Sequence, residues 1–136
     1  MRFDTKIIVA VRDDLAVWQK LNVACFLSGG LGGSDPALLG EPYRDGSDTV
    51  YGPMIRQPIL VFCGSAAEIR HAHRRALERD VRLFIYTAEL FATGHDAANR
   101  AAVAAVARED LDLVGLAFHA EKRAADKIVK GLRLHP

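Results

Sequence analysis

The run Ile7-Ile8-Val9-Ala10-Val11 is unbroken by any polar residue. A strand of that kind has to be covered on both faces, so it belongs at the centre of a layered fold. It runs into Arg12-Asp13-Asp14, where Asp13 or Asp14 is placed to cap a following helix at its positive end. Beyond the turn, Trp18, Leu21 and Cys25 recur at helical spacing while Val23, Ala24, Phe26 and Leu27 fill the opposite side. The helix is therefore apolar nearly all round and is expected to be buried between other layers. Asn22 interrupts it and is expected to find a partner, because an unpaired buried amide costs about 1–3 kcal/mol. Residues 28–34, SGGLGGS, are expected to stop the helix. They follow a helix rather than opening one after a strand, so they do not form a phosphate cradle.

Three further apolar runs, at residues 58–63, 83–86 and 113–118, read as strands. Ser65 with Glu68 matches a capping box and opens a helix between the first two. In that helix Ala66, Ile69, Ala72, Ala76 and Leu77 can face the sheet, whereas Arg70, His71, Arg74, Arg75 and Arg79 form a basic outer face. That face is either a solvated surface or a contact for phosphates. Asp45-Gly46 between Tyr43 and Val50-Tyr51 signals a small β-hairpin within residues 41–53. Asp96 is placed to cap an Ala-rich helix running to residue 108, and residues 120–130 read as a last helix, with Asp126 and Lys130 paired outward and Gly131 as its stop. Strands alternating with helices give an α/β fold.

With 136 residues, 50% of them hydrophobic, the chain is expected to form one domain over residues 1–136. A formal net charge of +1 excludes a global field drawing it to nucleic acid or anionic membrane. There is no signal-peptide pattern and no apolar run near the roughly 20 residues of a membrane span, so a cytoplasmic location without membrane contact is expected. Cys25 and Cys63 stand outside any CxxC pair and read as two buried free thiols. His71 and His73 are two apart, whereas a helical metal pair wants four, so no metal or other cofactor is expected.

The strand ending in Arg12-Asp13-Asp14-Leu15, then Lys20, then Asn22 to Cys25, then Gln57-Pro58, Val114-Gly115-Leu116 and residues 126–134 resemble the type-2 peptidyl-tRNA hydrolase fold. The resemblance implies a three-layer α/β/α sandwich on a mixed, mostly parallel sheet of about four strands, with the hairpin added, and a possible homodimer. Over nearly the whole length the chain resembles more closely a bacterial domain-of-unknown-function family, number 2000, which shares that fold and has no assigned activity. The matching phrases are residues 18–22, 41–43, 53–58, 90–96 and 127–135.

In open α/β sheets ligands bind at the C-terminal ends of parallel strands, and residues 12–14 and 87–96 both leave such ends. One reading is a metal-independent hydrolase of peptidyl-tRNA or a related acyl ester or amide. Lys20 would polarise the carbonyl or hold a phosphate, Glu89 would position water as a general base, and Thr93 or His95 would assist. Here Val17-Trp18-Gln19-Lys20 stands in place of that family's lysine-rich turn. The other reading is a non-catalytic module for a small ligand or a protein, with Trp18, Tyr43, Tyr51, Arg56 and His95 lining a pocket under the hairpin and Arg12 near the same strand end. The expected partner is thus a small molecule or tRNA.

Overall fold

In the computed structural model, which describes residues 2–136, the chain runs β1 (Thr5–Arg12), α1 (Val17–Ser34), β2 (Tyr43–Arg44), β3 (Val50–Tyr51), β4 (Ile59–Gly64), α2 (Ala66–Glu78) and β5 (Phe84–Thr87). It continues with α3 (Asp96–Ala104), β6 (Leu113–Glu121), α4 (Lys122–Ile128) and β7 (Arg133–Leu134). Alternation along β1 sets the layers. Ile7, Val9 and Val11 pack with Val23, Leu27 and Leu31 of α1, whereas Ile8 and Ala10 pack with Ile69, Ala72 and Ala76 of α2 and with Ala125 and Ile128 of α4. Every residue from Ile7 to Ala10 has no exposed surface, as an unbroken apolar run requires.

The main sheet has five strands in the order β5-β6-β1-β4-β7. It is mixed, but its ladders are not mostly parallel. Only β1 and β4 pair in parallel, while β6 runs antiparallel to both β1 and β5, and β7 antiparallel to β4. The reason lies in the segment after β5. It is long enough for a parallel crossover, but α3 buries no residue completely and stays beside the β5 edge. The chain therefore returns as the antiparallel neighbour of β5. The two-residue β7 was not expected; it pairs with the outer edge of β4.

Several local expectations change. α1 is covered on one side only: Val17, Trp18, Leu21 and Phe26 are 74, 59, 63 and 61% exposed, and Cys25 is exposed too, so only Cys63 is a buried thiol. Asn22 is half-buried and its amide needs no protein partner. The glycine stretch continues the helix instead of stopping it. Gly30 permits this because a Cβ there would stand 3.3 Å from the Phe84 ring, so tertiary contact outweighs poor helix propensity. Neither Asp13 nor Asp14 caps α1; the Gln19 side chain accepts from the Ala16 N–H at 2.9 Å. α3 is capped by His95 rather than Asp96, and it ends at Ala104 rather than at residue 108. Asp126 pairs with Lys6 at 2.6 Å rather than with Lys130. The Ser65–Glu68 capping box forms as expected, and Gly131, at φ +97°, follows α4 in the left-handed region.

Candidate functional site

The end of the sheet where β1 finishes is polar. Arg12 pairs with Asp14 at 2.7 Å and with Asp112 at 2.8 Å. Burial works against its charge, but the hydrogen bonds to the two carboxylates outweigh that and push its pKa up. Arg12 thus ties β1 to the start of β6. Lys20 and Trp18 leave α1 on opposite sides, as residues two apart on a helix must. Lys20 Nζ donates to His135 Nε2 at 3.2 Å, and His135 Nδ1 faces the Pro136 carbonyl at 3.0 Å, which fixes the histidine tautomer. Trp18 instead meets Phe91 edge to face, with ring centroids 5.7 Å apart.

Glu89, Thr93 and His95 follow β5. Glu89 is exposed in the 3-10 turn Ala88–Ala92. The Thr93 hydroxyl donates to the Leu90 carbonyl at 3.0 Å and also meets the Asn99 side-chain amide. His95 Nδ1 accepts from the Ala98 N–H at 3.2 Å as the cap of α3. Glu89, Thr93 and His95 therefore sit together by the β5 edge. Lys20 instead turns to the residue after β7, the strand at the opposite edge of the sheet from β5. Arg56 lies elsewhere again: it stacks on Phe3 and donates to the Ala37 carbonyl at 3.1 Å. The hairpin of β2 and β3 forms, but residues 41–54 are all exposed, so Tyr43 and Tyr51 roof no pocket with Trp18 and His95.

A cavity of about 580 Å³ does open beside β5, between α1 and α3. Phe26 and Leu27 of α1, Phe84 and Tyr86 of β5, Leu90 and Val103 make apolar walls, while Asp96, Asn99 and Arg100 stand on the α3 side. Phe26 and Tyr86 have ring centroids 6.0 Å apart, and Tyr86 and Phe91 5.0 Å, so the cavity continues the aromatic row that begins at Trp18. Tyr86 is 6% exposed, and burial raises its phenol pKa, which keeps the wall uncharged. Arg100 and Asp96 form an ion pair one helical turn apart. With one carboxylate engaging it, the guanidinium keeps donors to spare.

A family model described as a protein of unknown function, DUF2000, matches residues 5–136. The chain belongs to the DUF2000 family. A solved structure of Atu0240, a protein of unknown function from Agrobacterium tumefaciens strain C58, is similar to this DUF2000 protein with a TM-score of 0.96 and 48% identity, over 99% of this chain and 100% of that one. No functionally curated protein matches it.

In this DUF2000 protein the basic face of α2 is divided. Arg75 turns inward and donates to the Lys130 carbonyl at 2.7 Å, closing the end of α4. Arg70 and Arg74 line a second cavity of about 540 Å³ with His73, Leu77, Glu78, Arg108 and Glu109. His73 is 8% exposed; burial and then Arg108 lower its pKa. Among the described residues no group of three or more His, Cys, Asp or Glu gathers as a metal site, and no helix is long and apolar enough to cross a membrane. Phe26, Tyr86, Arg100 and Val103 were not legible as site residues because each reads as core or as helix surface. The one available signal was Asn99 and Val103 sharing a helix face beside the polar segment 87–96.

Proposed function

We propose that this DUF2000 protein binds a small, flat, mostly apolar molecule carrying a carboxylate or carbonyl. The cavity between α1, β5 and α3 carries the reading: its volume of about 580 Å³ and aromatic walls with a few polar groups on one side suit such a ligand. Phe26 and Tyr86 offer ring faces and edges to an aromatic body, and Arg100 and Asn99 offer donors to its oxygen. Titration calorimetry with 2-naphthoate tests this. A fragment of that size is expected to bind with Kd on the order of 0.1–1 mM. Ala104→Phe, which fills the cavity from an exposed position of α3, is expected to abolish binding. Unchanged affinity in Ala104→Phe would place the ligand elsewhere.

Hydrolysis is the second reading. Its support is the resemblance to type-2 peptidyl-tRNA hydrolases and the position of Glu89, exposed at the exit of β5 next to the cavity residue Leu90. In that reading Glu89 activates water and Thr93 assists, while Lys20 has to leave His135 to reach them. If Glu89 is the general base, Glu89→Gln removes turnover of an acyl ester while leaving 2-naphthoate binding intact.

A further inference from the structure

We propose that a second copy of this chain covers the outer face of α1, making the protein a homodimer. An 18-residue helix facing solvent should carry a polar side, yet Lys20 is the only charged residue of α1, and it is engaged with His135. Val17, Trp18 and Leu21 instead face outward at 59–74% exposure, while Phe26 lies on the cavity side of the helix.

Two glycines point the same way. Gly30 and Gly32 have reasons within the chain, because Cβ atoms there would approach Phe84 at 3.3 Å and Leu39 at 3.4 Å. Gly29 and Gly33 have none: added Cβ atoms would meet nothing within 4 Å. Each costs the helix about 1 kcal/mol relative to alanine. With exposed Cys25 at the preceding i−4 position, they make a shallow track on the uncovered face. A second helix backbone approaching that track supplies the missing reason.

The ribbon of β2 and β3 adds to the same surface. Its base rests on the end of α1, where Leu39 bridges to Ile55 and both approach Gly32. Beyond that base, residues 41–54 are all exposed, with Tyr43, Val50, Tyr51 and Met54 at 49–59%. An isolated two-stranded ribbon is marginally stable in water, so a projecting arm of this kind is stabilised by docking. Together the exposed apolar side chains of α1 and the arm leave on the order of 800 Å² per copy, comparable with the roughly 800 Å² per partner of a standard interface. The α1 part of this face offers nothing to an ionic partner, and the arm carries both signs, Arg44 beside Glu41, Asp45 and Asp48, so a second copy about a twofold axis can meet both parts.

Sedimentation equilibrium of the wild-type chain is expected to report twice the 14.9 kDa chain mass. Leu21→Glu and Gly29→Leu each alter the exposed face without entering the core or the cavity, and each is expected to weaken dimerisation about 100-fold with an unchanged far-UV spectrum. If either variant fails to fold, the other and the wild-type mass still decide. A monomeric wild-type mass at concentrations up to about 100 µM overturns the proposal. So does a dimer that neither substitution weakens. Dimerisation does not rest on ligand binding, and 2-naphthoate titration of the monomeric variants separates the two.

Discussion

Gly115 of β6 lies directly against Val23 of α1, and replacing it tests the packing that places the cavity wall. A Cβ at Gly115 would stand 2.4 Å from Val23 Cγ1 and 3.1 Å from the Ala10 carbonyl oxygen. Carbon atoms in contact prefer about 3.5–4.0 Å, so α1 has to lift by about 1 Å or Val23 has to leave its rotamer. Overpacking of this size is expected to cost about 1–3 kcal/mol in Gly115→Ala. Val23→Ala alone removes two buried methyl groups and leaves a cavity, at a cost of about 2 kcal/mol. In the double variant the new methyl occupies the space that Val23 vacates, so the combined loss is expected to fall short of the sum by at least about 1 kcal/mol. Urea unfolding followed by far-UV circular dichroism, with slopes checked for constancy, gives the four free energies. Strict additivity would refute the close seating of α1 on β6.

Thr87 Oγ1 is fully buried without a hydrogen-bond partner among the described residues, at the irregularity between Tyr86 and Thr87 in the β5–β6 ladder. Thr87→Val keeps the shape and removes the unpaired hydroxyl, so it is expected to raise stability by about 1 kcal/mol in the same urea assay; a loss of that size would mean the hydroxyl has a partner. His73 has a folded-state pKa below its unfolded value. The unfolded chain therefore takes up the proton first, and the contribution of neutral His73 to stability is present above the unfolded pKa of about 6.5 and is lost as pH falls from there through the lower folded-state pKa. His73→Gln is expected to flatten the decline of the urea midpoint between about pH 7.5 and 5.5, and an unchanged slope would assign that decline to other groups.

The strands were legible because residues 7–11, 58–63, 83–86 and 113–118 are covered on both faces, and such runs need no partner information to be recognised. The capping box at Ser65 was legible for the same reason, since its bonds are local. Strand order was not. The direction of β6 depends on where α3 comes to rest, and nothing within residues 96–108 states that they lie beside β5 rather than cross the sheet. Persistence of α1 past Gly30 and Gly32 depends on Phe84 and Ile55, which are remote in sequence, and on Leu39. The apolar girth of α1 gave an expectation of burial between two layers that the structure overturns, because this chain covers the helix on one side only. For the site, the strand-end argument drew attention to residues 87–96, and Leu90 and Asp96 do line the cavity. Its walls read as core or as helix surface, and only the fold shows that they border one cavity. Lys20 could not be placed because its partner, His135, follows an edge strand too short to announce itself.

The measurement that bears most directly on ligand binding is a backbone and side-chain NMR titration with 2-naphthoate. Saturable shifts are expected at Phe26, Tyr86, Leu90, Asn99 and Val103, and the resonance of Lys20 is expected to stay still. Shifts centred on Lys20 and His135, or no saturable shift anywhere, would contradict a binding site between α1, β5 and α3.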